Sequence, residues 1–311
     1  MPEINLETIQ DALFSNRKIR DRITRDYNLT QDLPTSRQFT EAVINQLGQA
    51  PAKSPLEQSL TDDQVFKAAV RAIGSNSRSW ARYLRAEPEL TRVLEKFSVA
   101  RVRLSGRTET EIQERIRLLL GGITARSDAN AIVRWSVQLA QYPRYCDRIL
   151  QLANAIFIAF TRLTNEPIPS HEIMICAVSA LAKPAAATNV EVKEALRSFG
   201  QAQKLSGMSY VLGSEFFRNM GWSGFKPDRH IKRLMGHWEI TTTPEIERRV
   251  RLLARVLGTA DPDFFDFASH SLRGVMLTPG SCSFSTADNH MWLLGAYVEK
   301  KGRESSCQYL Q

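Results

Sequence analysis

Apolar residues recur every three or four positions along most of the chain, and no stretch alternates with period two for long. In "SLTDDQVFKAAVRAI", Val65, Ala69 and Ile73 (or Phe66, Val70 and Ile73) make one helical stripe, with Thr61, Asp62 or Asp63 as its cap. The polar turn "GSNSRS" at 74–79 ends that helix before "WARYLRAEPELTRVLEKF". Next, "TETEIQERIRLLLGGI" stops at Gly121-Gly122, and "ARSDANAIVRWSVQLAQ" is amphipathic with Ser127 or Asp128 as cap. Residues 148–204 add two or three helices, broken at "NEPIPS" and "KPAAATN". Further helices are expected in "TTPEIERRVRLLARVLG", "DPDFFDFASHSLRGVML" and around "HMWLLGAYVEKK". The pattern predicts an all-α fold without internal repeats, and "GQAPAKSP" at 48–55 reads as a linker.

Composition narrows the class. The 311 residues are 43% hydrophobic and 24% charged, as in a folded protein with a substantial core. The net charge of +8 favours a polyanionic partner such as nucleic acid, with plain solubility as the alternative. Arg17, Lys18, Arg20, Arg22 and Arg25 cluster near the N-terminus opposite Ile19 and Ile23, as a solvated face or a phosphate-contacting one. Cys146, Cys176, Cys282 and Cys307 lie far apart with no CxxC spacing, which argues against a compact zinc or iron–sulfur site. The most apolar run, 150–160, is too short and too polar to span a bilayer. With no secretory leader at the start, a cytoplasmic protein with reduced thiols and no membrane association is expected.

The stretch "LSGMSYVLGSEFFRNMGWSGFKPDRHI" at 205–231 carries the chemistry. A glycine turn joins two helices, and its backbone N–H groups with the following helix N-terminus make an anion site. Asp228 follows Pro227 and precedes a stripe of Ile231, Leu234, Met235 and Trp238, so it reads as a helix cap. A carboxylate fixed there is also able to serve as a catalytic group. The cap and the catalytic role are compatible.

In these residues the chain resembles the helix-hairpin-helix DNA glycosylases, the HhH-GPD superfamily. Leu205, Ser206, Gly207, Met208 and Ser209 fall at that family's hairpin, Gly221-Trp222 at the end of its helix, and Pro227-Asp228-Arg229-His230-Ile231 at its aspartate segment. Asp228 lies 21 residues after Gly207, matching the motif's spacing. The likeness continues more loosely through "DDQVFKAAVRAIGSNSRSWARYL" and "EIQERIRLLLGGITARSDANAIVRWSVQLA". It implies a two-lobed fold: residues 58–240 form a helical barrel bearing hairpin and aspartate, and residues 1–57 with 241–311 form the second lobe. DNA would lie in the groove between lobes.

The resemblance further implies that Asp228 is catalytic and that the hairpin grips phosphate. Val211 stands where bifunctional relatives carry an imine-forming lysine, which implies a monofunctional enzyme leaving an abasic site. Lys204 and Lys226 are the nearby amines, and Lys226 is expected to contact phosphate or tune the carboxylate. Asn76 is the expected plug for the space left by an extruded base, flanked by Ser75 and Arg78, with Arg78 also touching DNA. Trp80, Tyr210 and Trp222 are the candidates to stack on the base, whereas Trp135 and Trp238 belong to the core. No proton transfer is assigned to His230. No metal or other cofactor is implied for the chemistry, although a monovalent cation at the hairpin is compatible with it. The expected partner is duplex DNA with an extruded base, bound by a monomer. The base can be a damaged one, as in repair, or a hypermodified cytosine of phage DNA, as in antiviral defence.

Two other readings stay open. A non-catalytic DNA-binding module would keep the hairpin for phosphate contact alone. A metal-dependent hydrolase would use Asp266, His270, Cys282 and His290, which lack ligand spacing.

Overall fold

The computed structural model describes residues 6–30, 32–48, 59–104, 106–203, 205, 207–237, 244–257 and 284–298, and the regular elements among them are helices, with no β-strand. No helix among the described residues is long and apolar enough to cross a membrane.

Three N-terminal helices come first: α1 (Leu6–Ser15), α2 (Arg17–Asp26) and α3 (Ser36–Leu47). The central group runs through α4 (Asp62–Gly74), α5 (Trp80–Val93), α6 (Val99–Leu104), α7 (Glu109–Leu120) and α8 (Ala125–Gln141). It continues with α9 (Tyr145–Thr164), α10 (Ser170–Ala182), α11 (Val190–Arg197) and α12 (Tyr210–Asn219). Then follow α13 (Arg229–His237), α14 (Pro244–Leu257) and α15 (Phe284–Leu293), the last running into a π-helical turn, Leu294–Val298.

α4 is the hub, packed against α8, α9 and α12. Its sequence specifies both its start and its faces. Thr61 and Gln64 form a reciprocal capping box, and both apolar stripes, from Val65 and Phe66 to Ile73, are buried. Trp135 of α8 packs edge-on to Tyr145 (5.4 Å) and tilted to Phe216 (5.5 Å), tying α8, α9 and α12 into one core. The apolar run 150–160 lies inside α9, with Leu152, Ile156 and Phe160 fully buried. Cys146 and Cys176 are buried.

The N-terminal helices join the other end of the chain. α1 packs on α3, α15 and the π turn, while α15 and the π turn pack on α13. The helix expected around residue 290 therefore begins earlier, at Phe284, and its job is to dock the N-terminal helices onto the start of α13. One expected cap differs. α8 starts at Ala125 after Thr124, and Asp128 turns its carboxylate inward to a neighbouring loop instead of capping.

The 205–209 turn is tight. The Met208 N–H donates to the Leu205 carbonyl (3.0 Å), and Gly207 sits at φ +73°. A Cβ at Gly207 would come 2.8 Å from Ala131 Cβ on α8, so any side chain there meets both backbone strain and a clash. Gly207→Val is expected to lower unfolding stability by about 1–3 kcal/mol, measured by urea denaturation, whereas a valine at Gly106, where a Cβ meets nothing within 4 Å, should cost less.

Candidate active-site cleft

Four separated stretches of chain converge on one cleft of about 450 Å³: the 75–80 turn, the start of α12 (Ser209, Val211, Leu212), the Lys226–His230 segment, and residues 288–297 of α15 and its π turn. Arg22 and Asp26 of α2 close one edge. The volume suits a small organic group, since such sites usually span about 300–1,000 Å³.

Local chemistry explains how Asp228 arrives there. α12 ends in a Schellman closure: the Trp222 N–H reaches the Phe217 carbonyl (3.0 Å) and the Gly221 N–H reaches Arg218 (2.9 Å), with Gly221 at φ +93°. The chain then runs without helix to Pro227, across which the Asp228 N–H donates to the Lys226 carbonyl (2.7 Å), a γ-turn suited to proline's fixed φ. Asp228 Oδ1 accepts the N–H groups of His230 (2.8 Å) and Ile231 (3.1 Å), so the residue caps α13 while its side chain lines the cleft. Ile231 and Leu234, the first half of the expected stripe, are fully buried. Of the rest, the Met235 side chain and Trp238 lie outside what is described. The π turn comes close because Gly295 lacks a side chain: a Cβ there would meet His230 Cβ at 3.0 Å and its carbonyl oxygen at 3.1 Å.

Behind Asp228 lies a buried ionic cluster. Arg218 Nη1 contacts Glu215 Oε2 (2.9 Å) and Asp288 Oδ2 (2.6 Å), and its Nη2 donates to Asn289 Oδ1 (2.8 Å). Asp288 Oδ1 accepts the backbone N–H of Lys226 (2.8 Å). The Lys226 ammonium stands 3.8 Å from Glu215 Oε2 and 3.4 Å from Ser75 Oγ, on the cleft wall. Burial pushes the Asp288 carboxyl up to about 7, against the opposing pull of Arg218 and the Lys226 N–H. Burial also holds His230 below its ordinary value, with Asp228 acting the other way.

The residues singled out from sequence divide. Asp228, Lys226, Ser209, Asn76, Arg78 and Trp80 all border the cleft, as does Val211. Their roles differ from expectation in several cases. Arg78 braces the loop: its side chain is 3% exposed, donating to the Gly74 carbonyl (2.6 Å), to Thr124 Oγ1 (3.1 Å) and to Asp128 Oδ2. Asn76, expected as the plug, gives its amide to Asp128 (3.0 Å) and helps hold the same loop. Trp80 is mostly buried, stacked on Tyr83 at 4.7 Å, and forms wall rather than platform. Trp222 packs on Phe217 at 4.5 Å and is core. Tyr210 turns toward Lys183, whose ammonium lies 5.8 Å from its ring. Leu205 is buried, Met208 is half-buried against the core, and Gly207 and Ser209 are exposed. Ser206 and Lys204 lie outside the described residues, as do Asp266, His270, Cys282 and Cys307. His290 is buried with Nδ1 2.8 Å from the Thr286 carbonyl. Among the described residues no three candidate metal ligands cluster.

Two features escaped the sequence reading. The first is the stripe Ser285, Asp288, Asn289 and Trp292, polar but spaced i, i+3, i+4, i+7, which α15 aims at the 222–230 segment and the cleft. That spacing was its signal. The second is Ile123, 95% exposed at the tip of the loop between α7 and α8. Its neighbour Thr124 lies 3.2 Å from the Asn76 carbonyl, so Ile123 stands beside the 75–80 turn.

No protein-family model, curated protein or solved structure matches the chain.

The raised Asp288 carboxyl carries a signed consequence. The folded state holds that proton more tightly than the unfolded chain, whose ordinary value is 3.8, so this contribution is fully present below about 4 and is lost as pH rises through about 7. Asp288→Asn cannot titrate. Its unfolding free energy relative to wild type should therefore rise by about 1–3 kcal/mol between pH 5 and pH 8, as read from urea unfolding at the two pH values.

Proposed function

We propose that this chain is a monofunctional DNA glycosylase, hydrolysing the N-glycosidic bond of a damaged or modified base flipped out of DNA and leaving an abasic site. The observation that carries this reading is the position of Asp228: a helix-capping carboxylate whose side chain lines a cleft bordered by the hairpin residue Ser209.

The two capping bonds fall on Oδ1, which leaves Oδ2 as the oxygen to face the sugar. As the bond to the base lengthens, that oxygen stabilises the positive charge on the deoxyribose and orients the attacking water. The hairpin supplies the backbone grip: the Ser209 side chain makes no capping bond, and the N-terminus of α12 is the place for a phosphate oxygen. Extrusion leaves a gap in the stack, and Ile123 is the apolar side chain suited to fill it, with the Asn76 turn behind it. The base then enters a cleft walled by Trp80 and Trp292. Val211 lines the cleft at the position of the imine-forming lysine, and valine has no amine to offer. Lys226 pairs with Glu215.

Abasic sites are to be scored with an aldehyde-reactive probe on alkylated, deaminated, oxidised and naturally hypermodified DNA. Wild type is expected to produce them on one class without strand breaks before alkali, and Asp228→Asn to be slower by at least about 100-fold. Intact DNA throughout, with wild type and variant binding duplex equally, would replace this reading with a non-catalytic binding module. Ile123→Ser is expected to slow excision from duplex about tenfold while leaving excision from single strands nearly unchanged, measured as single-turnover rates on both substrates.

A further inference from the structure

We propose that Asp288 is the positioning residue for Asp228, fixing from a distant helix the short irregular segment on which the candidate catalytic carboxylate stands. The inference rests on the glycosylase reading for what Asp228 does, but on geometry alone for how it is held.

The segment between α12 and α13 has no helical ladder to set its path. Its position is fixed instead by α15. Ser285 Oγ lies 3.2 Å from the Trp222 carbonyl and accepts the Gly224 N–H at 3.3 Å. One turn later on the same face, Asp288 Oδ1 accepts the Lys226 N–H at 2.8 Å. The Lys226 carbonyl in turn accepts the Asp228 N–H across Pro227 at 2.7 Å. Asp288 is thus two hydrogen bonds from the backbone of Asp228, and the first is charge-assisted. Its other oxygen is held by Arg218 at 2.6 Å, and Arg218 is anchored on α12 through Glu215. Both Arg218 and Asp288 side chains are 2% exposed, so water does not compete for either bond.

A carboxylate does here what a neutral side chain cannot do alone. It receives a main-chain N–H on one oxygen and a guanidinium on the other, joining α12, α15 and the 222–228 segment at one point. Asparagine keeps an oxygen for the Lys226 N–H but offers Arg218 an amide; alanine offers neither. The two substitutions therefore separate the backbone bond from the ion pair.

The test compares wild type, Asp288→Asn and Asp288→Ala by amide hydrogen exchange at Lys226, Asp228, His230 and Ile231, together with single-turnover excision rate and duplex affinity. In Asp288→Ala, exchange at these four amides should accelerate at least tenfold, while core amides of α4 and α9 keep their protection. The excision rate should fall at least tenfold with duplex affinity within twofold. Asp288→Asn should restore most of both. Unchanged exchange at Lys226 and Asp228 in a folded Asp288→Ala protein would overturn the proposal, as would rate and affinity falling together. If Asp288→Ala does not fold, Asp288→Leu, of similar size and able to accept neither bond, takes its place in the same measurements, and wild-type protection of Lys226 and Asp228 in it would refute the role. If wild type excises no base from any DNA, the glycosylase reading fails, yet the exchange arm still answers whether Asp288 positions Asp228.

Discussion

A single buried guanidinium joins parts of the chain that lie far apart in sequence. Arg218 sits on α12, pairs with Glu215 on its own helix, and reaches Asp288 and Asn289 near the far end of the sequence. Such a cluster is a poor source of stability, because desolvating each ion costs several kcal/mol that the pairing only offsets. What it provides is uniqueness. With Asp288 in place, the Lys226 N–H has one partner and the segment carrying Asp228 has one path. Removing one partner strands a buried charge, a change worth about 3–5 kcal/mol in such settings. The site and the docking of α15 therefore depend on the same few atoms.

The rest of the cleft follows from short-range devices that place polar groups at its edge. The Schellman closure at Gly221 ends α12 cleanly, and Pro227 turns the chain so that Asp228 meets the first N–H groups of α13. Gly295 lets the π turn lie against His230, bringing Trp292 and Tyr297 to the cleft. Arg78, Asp128 and Thr124 weld the 75–80 turn to the start of α8, which sets both Asn76 and the Ile123 tip. The bonds of Arg78 and Thr124 to Asp128 pair buried polar groups, as a site needing fixed geometry requires.

Much of this was legible because it is local. Helix periods, the Thr61 cap, the Gly121-Gly122 stop and the Asp228 cap are each written within a few residues, and the described helices fall where those signals lie. What the sequence leaves hidden is of tertiary origin. Arg78 and Asn76 lie in a polar turn, and nothing nearby in sequence shows that Asp128, about fifty residues on, draws both inward. Trp222 and Tyr210 sit beside the key motif in sequence but face the core and Lys183 in space. The contribution of α15 was hidden for the same reason. Its polar stripe carries the correct helical spacing, yet a stripe of Ser, Asp and Asn reads as a solvated face until the helix is seen buried against the 222–230 segment.

In the proposed function Asp228 presents negative charge to a sugar that becomes positive. It can be tested without knowing the base. Two duplexes would be compared, one carrying a cationic pyrrolidine analogue of the abasic deoxyribose and one its neutral tetrahydrofuran counterpart, with wild type and Asp228→Asn. A transition-state-like cation should bind wild type at least about 100-fold more tightly than the neutral ring, and the substitution should erase most of that preference while leaving the neutral duplex bound as before. Equal affinity of wild type for the two duplexes would contradict the account and leave Asp228 as nothing more than a helix cap.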